Sequence, residues 1–258
     1  MPAVDPNRLK SQIAKLQALL DDPRALRWRV RDLLEYYSDR TRRLGAASDS
    51  TRSFGVLKPI LQELQRSLVA MLADNSDAAL SIANELWSEG FQEMRIVAIG
   101  LLENVNPQVS KVQFERWAGL TKDPKIVEKL AQMSFAVWKK EPQAEFFQNI
   151  KQWISESNIE NHTYALLLLR MAAGDIEMDH LPFIFDILED VNLQNHASTR
   201  ALFQKLLHDL AIESPAETAK FLLNKMEEGD SIIKRMARDL IDAFPTRQRG
   251  RIRQALST

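Results

Sequence analysis

The sequence predicts an all-α protein built of stacked helical pairs, about 12–14 helices in one array. Three observations predict it. Five apolar anchors, Trp87, Trp117, Trp153, Leu188 and Met226, recur at gaps of 30, 36, 35 and 38 residues. A second amphipathic segment follows each anchor, so that Ala83–Val105 and Ile150–Met171 share one layout, with a fainter copy at Leu222–Phe244. Glycine is scarce, with 8 in 258 residues, and apolar residues follow a helical rather than an alternating period. Self-similarity at this period marks repeats that cannot bury an apolar face alone and so must stack.

The elements follow in order. The first helix runs from about Pro6 to Leu20, its stripe formed by Leu9, Ile13, Leu16 and Leu20. Asp21-Asp22-Pro23 breaks it and starts a second helix over 25–44, ended near Gly45 with arginines in the last turn. A polar connector, Ala46–Arg52, follows. Further helices are expected at 56–73, 76–88, 91–104, 108–118, 124–140, 143–155, 160–173, 179–190, 196–211, 215–228, 230–243 and 246–256. Asp123-Pro124 and Ser214-Pro215 supply starts, and Gly174 and Gly229 supply stops. The whole of 1–258 reads as one domain: N-terminal helices at 1–52, repeats over 53–245 and a capping helix over 246–258.

Composition narrows the chemistry. The absence of cysteine removes disulfides, zinc–thiolate sites, iron–sulfur clusters and thiol nucleophiles together. There is no phosphate loop, dinucleotide glycine fingerprint, nucleophile elbow or H-E-x-x-H motif. The four histidines, His162, His180, His196 and His208, do not share a helical face, so no metal or cofactor is expected. No apolar run approaches a membrane span and the N-terminus lacks a signal-peptide core, which makes a cytoplasmic monomer the default expectation. The net charge of −1 is unevenly spread: +4 over residues 1–56, +5 over 231–258, and −10 between them. An anion-binding surface should therefore draw on the two ends.

Trp87, Trp117, Trp138 and Trp153 read as interhelical packing rather than as base-stacking platforms. Trp28 differs, lying among Arg24, Arg27, Arg29 and Arg31, where either a nucleic-acid contact or a solvated arginine face fits. The run Arg247, Arg249, Arg251, Arg253 after Lys234, Arg235 and Arg238 is a solvated capping helix or a phosphate-binding end. Glu128 is placed where a carboxylate could stabilise a developing cation such as an oxocarbenium-like sugar, the alternative being a solvated surface glutamate.

Three stretches resemble the HEAT-like-repeat DNA alkylation repair family, helical alkylpurine DNA glycosylases. They are Tyr36–Arg66 with its SFGVLKPILQELQRSL, the pair ALSIANELWSEGFQEMRIVAIGLLENV, and SIIKRMARDLIDAF. The similarity runs from about residue 30 to 245. The resemblance implies a right-handed superhelix that cradles DNA and excises cationic N3- or N7-alkylated purines. It also implies an aspartate, tryptophans and an arginine facing the lesion's deoxyribose. This chain places Glu128 at the aspartate, Pro124 at a tryptophan, His162 and Thr163 at paired arginines, and Arg238 at a further tryptophan. Residues and resemblance together favour a protein that binds duplex or branched DNA through Arg27, Trp28, Arg31, Arg43, His162, Lys234, Arg235 and Arg238, weak or inactive as a glycosylase. A protein–protein scaffold is the alternative, and an active glycosylase using Glu128 is the second alternative.

Overall fold

The computed structural model describes residues 5–38, 52–140, 142–156, 159–175, 181–194 and 197–257. Among these residues there are fourteen α-helices and no β-strand. The helices are α1 (Pro6–Ala14), α2 (Pro23–Tyr36), α3 (Lys58–Met71), α4 (Ser76–Ser88), α5 (Gln92–Leu101), α6 (Pro107–Ala118) and α7 (Pro124–Trp138). They continue as α8 (Gln143–Ser155), α9 (Ile159–Ala173), α10 (Leu181–Glu189), α11 (Ala197–Glu213), α12 (Pro215–Glu227), α13 (Ser231–Asp239) and α14 (Thr246–Leu256). None is long and apolar enough to cross a membrane.

Most starts are written locally. Asp5, Asp22, Asn106 and Asp123 each precede a proline and each accepts a backbone N–H from the first turn they open. The carboxylate or amide oxygen satisfies a donor the helix leaves unpaired, and proline sits where no N–H is needed. Ends are less regular. The expected first helix is α-helical only to Ala14 and continues as a 3₁₀ segment, Lys15–Leu19. The helix expected over 25–44 begins earlier, at Pro23, and stops at Tyr36. Tyr37 leaves helical geometry and its hydroxyl donates to Gln12 Oε1 at 2.7 Å, which ties the chain back to α1. Gly45 and all of the polar connector except Arg52 lie outside the described residues. The helices expected over 91–104 and 230–243 end early in 3₁₀ turns, Leu102–Asn104 and Ile241–Ala243. Each turn runs into extended backbone just before Pro107 and Pro245, because proline disfavours helical backbone in the residue before it.

The chain divides into two compact units, Met1–Val137 and Trp138–Thr258. In the first, α2 packs on α4 and α3 on α5; in the second, α8 packs on α10, α9 on α11 and α12 on α14. Helices two apart in sequence thus stack within each unit, as helical pairs laid one on the next do. The anchors fall in register: Trp87, Trp117, Trp153, Leu188 and Met226 lie in the last turns of α4, α6, α8, α10 and α12, all buried. Trp87 stacks on Trp117 with ring centroids 4.2 Å apart and planes 1° from parallel. Polar links keep the same period. Lys139–Asp175, Lys151–Asp186 and Arg170–Asp209 pair across 36, 35 and 39 residues, close to the anchor spacing.

One glycine is fixed by packing. A β-carbon on Gly100 in α5 would land on the Gln65 side chain of α3, overlapping it back to its Cγ. Gly100→Ala is therefore expected to cost about 1–3 kcal/mol, since Gln65 must vacate a packed position. A thermal melt checks this, and an unchanged midpoint would mean that Gln65 has somewhere else to go.

Candidate nucleic-acid interface

The two basic ends differ in what their arginines already hold. On α2, Arg27 pairs with Glu85 (Nη1 to Oε2, 3.0 Å) and with Glu89 (Nε to Oε1, 3.2 Å). Arg31 Nη1 reaches the other Glu89 oxygen at 3.2 Å. Glu85 belongs to α4 and Glu89 caps its C-terminal end, so these arginines fasten α2 to α4 and have their charge matched there. Trp28 is half exposed, with the guanidinium carbons of Arg27 and Arg31 at 5.1 and 5.4 Å from its ring centroid. Arg43 lies outside the described residues.

The C-terminal end is open. Arg235 and Arg238 on α13 and Arg247, Arg251 and Arg253 on α14 are exposed, and among the described residues none of them makes an ion pair. Lys234 and Arg251 line a cavity of about 360 Å³ together with Leu223, Met226 and Glu227. Arg249 is different in kind. It donates from Nη2 to the carbonyls of Asp242 and Phe244, both at 3.1 Å, and caps the 3₁₀ turn between α13 and α14. Of the four arginines two apart on α14, one is consumed locally and three point into solvent, as their wide angular spread on a helix requires.

Glu128 sits one turn into α7, exposed, and among the described residues it accepts no hydrogen bond and meets no cation. The buried carboxylate at this junction is Asp123, which sequence reasoning read only as a helix start. It caps α7 through Lys125 N–H at 2.9 Å and accepts from Gln92 Nε2 of α5 at 3.1 Å. Arg95, on the same helix as Gln92, lies over the Trp87 ring at 4.8 Å. In the second unit, the His162 Nε2–H donates to the Glu156 carbonyl at 2.6 Å, since a carbonyl can only accept. No group of three or more histidines, aspartates or glutamates among the described residues is arranged to hold a metal ion.

Trp87, Gln92 and Arg95 all fall within the helix pair ALSIANELWSEGFQEMRIVAIGLLENV, a segment of family-like pattern now seen to be a packed α4–α5 unit. A model of the DNA alkylation repair enzyme family matches residues 32–241, most of the chain. The chain belongs to that family. The match starts inside α2 and ends in the turn after α13, so it leaves α1 and the arginine-rich α14 outside. No curated protein and no solved structure matches the chain.

Within the family frame, the position of Glu128 matters most. A carboxylate that stabilises a cationic sugar acts strongly only where water is excluded and its partners are fixed. Glu128 has neither condition on its own unit. The residues that do form a fixed polar group at this junction, Gln92 and Asp123, come from α5 and the α7 cap. Their assembly depends on two helices meeting, and only the spacing of Asp123 before Pro124 hinted at any part of it.

Proposed function

We propose that this member of the DNA alkylation repair enzyme family is a DNA-binding protein with little or no glycosylase activity. The observation that carries the reading is the set of open arginines on α13 and α14, where Arg235, Arg238, Arg247, Arg251 and Arg253 are exposed and make no ion pair among the described residues. Unmatched surface arginines gain most from exchanging counterions for phosphates. Weak catalysis follows from the exposure of Glu128, from Pro124 in place of an aromatic wall, and from the engagement of His162 with a backbone carbonyl.

The test is binding of duplex and branched DNA across a range of salt, together with release of 7-methylguanine and 3-methyladenine from methylated DNA. The expected result is a linear fall of log affinity with log salt, and base release near background that Glu128→Gln leaves unchanged. Negligible binding at low salt would remove the DNA reading. Rapid base release lost in Glu128→Gln would restore the catalytic one.

A protein-binding scaffold is favoured by a different observation. Helix α6 turns Val109 and Val112 outward, and Leu120 just beyond it, while Ser110 and Gln113 are buried. An exposed apolar row on a helix with polar residues beneath it is the pattern of a contact surface.

A further inference from the structure

Two aromatic stacks in the first unit end beside Gly90, and each is capped by a guanidinium. Phe54 and Phe91 stack with centroids 4.1 Å apart and planes at 16°, and Arg52 lies over Phe91 at 4.6 Å. Trp87 and Trp117 form the second stack, and Arg95 lies over Trp87. The two caps reach toward one point. A β-carbon on Gly90 would lie 3.5 Å from Arg52 Nη2 and 4.0 Å from Arg95 Nη2. Gly90 has φ +73, the left-handed backbone that ends α4, and carries no side chain to fill that point.

Like charges converge there, and Asp123 is the carboxylate that acts on Arg95. Among the described residues neither Arg52 nor Arg95 makes an ion pair. Arg52 donates to the Glu89 backbone carbonyl at 2.9 Å, while the Glu89 carboxylate is taken by Arg27 and Arg31. Arg95 Nε is buried without a hydrogen-bond partner, so stacking rather than hydrogen bonding holds that side chain. Burial pushes the Arg95 guanidinium below its ordinary value; Asp123 offsets part of this, and the charge of Arg52 adds to it. Asp123 is itself committed to Gln92 and to the start of α7. Two cations held close on rigid rings, each with an unused donor edge, are complementary to an anion.

We infer that Arg52 and Arg95 form a two-guanidinium clamp over Gly90 for a phosphate group. A phosphodiester carries its charge on two non-bridging oxygens, and inorganic phosphate on more, so either can accept from both guanidinium groups at once. On the DNA-binding reading proposed above, which this inference deepens, the group is a backbone phosphate of the duplex; free phosphate is the other source of the same chemistry. The clamp is absent from the sequence pattern because its two arginines are 43 positions apart and meet only through the α4–α5 turn. That turn is pinned by Gln92 N–H donating to the Arg52 carbonyl at 2.8 Å.

The test compares the full chain with Arg52→Gln/Arg95→Gln and Arg52→Lys/Arg95→Lys, with circular-dichroism melts as the folding control. The exposed single variant Arg52→Gln serves if the double one does not fold. Inorganic phosphate, against chloride at equal ionic strength, is expected to raise the melting temperature of the wild type and not of the Gln variants. Duplex affinity is expected to fall about 10-fold in the Gln pair, with the salt slope reduced by about 1, and the Lys pair is expected to regain the slope but not the full affinity. A wild type that binds DNA but gains nothing from phosphate, with an unchanged slope in the variants, overturns the clamp and leaves the DNA reading intact. A wild type stabilised by phosphate through these arginines but unable to bind duplex keeps the clamp as a free-phosphate site and overturns the DNA reading.

Discussion

Glu93→Ala is expected to destabilise the protein by about 3–5 kcal/mol, a large share of the stability of an ordinary domain. Glu93 lies in the first turn of α5 and is 4% exposed. Its carboxylate accepts from Ser53 Oγ (2.7 Å) and from the backbone N–H groups of Phe54 (3.0 Å), Gly55 (2.8 Å) and Val56 (3.3 Å). These four donors belong to the segment that leads into α3, and Phe54 and Val56 are themselves core residues. Deleting the carboxylate leaves buried N–H groups without acceptors, which costs far more than the pairing itself contributes. Glu93→Gln keeps the shape but turns an NH₂ toward backbone donors, so most of the loss should persist. Ser53→Ala removes one donor and should cost about 1 kcal/mol. Urea unfolding of the three variants orders them, and a Glu93→Ala loss below about 1 kcal/mol would show that the segment finds other partners.

Neutralising Arg235, Arg238, Arg251 and Arg253 together with glutamine is expected to cut duplex affinity by about 100-fold or more at low salt. The slope of log affinity against log salt should fall by roughly 3–4, because each phosphate contact contributes close to one counterion. The same variant should melt near the wild-type temperature, because these side chains are exposed and make no ion pair among the described residues. Arg27→Gln/Arg31→Gln should behave in the opposite way. It removes the partners of Glu85 and Glu89, lowers stability, and leaves the salt slope almost unchanged. If the α2 variant lost affinity and slope while the C-terminal variant did not, the DNA contact would belong to the other end of the chain.

These contrasts rest on a difference that composition conceals. Both ends of the sequence are basic, +4 and +5, and carry arginines at similar density. What separates Arg27 and Arg31 from the C-terminal arginines is Glu85 and Glu89, which lie 58 residues beyond them in the chain and directly beside them in space. A charge run reports how many cations a segment has, not how many remain unmatched once helices pack. Arg249 makes the same point within a single helix, since it is spent on the carbonyls of a 3₁₀ turn that helical periodicity did not foresee.

The candidate site divides along the same line. Glu128, taken from the family pattern, is exposed, whereas Asp123, five positions earlier, is buried and bonded to α5. Glu93 looks like any glutamate in the first turn of a helix until the Ser53–Val56 backbone closes over it. A local signal told where each carboxylate sits along its helix. It could not tell which helix would arrive opposite.

Local signals in the chain set the helices and their order: aspartate or asparagine before proline opens four of them, apolar stripes set their buried faces, and evenly spaced anchors set their stacking register. Those are short-range effects of backbone sterics, capping and helical periodicity, and each is complete within a few residues. Contacts between distant segments settle which arginines stay open to an anion, which carboxylates are buried, and that Arg52 and Arg95 meet over Gly90. Charge matching and burial depend on neighbours from distant turns of the chain, and packing chooses those neighbours.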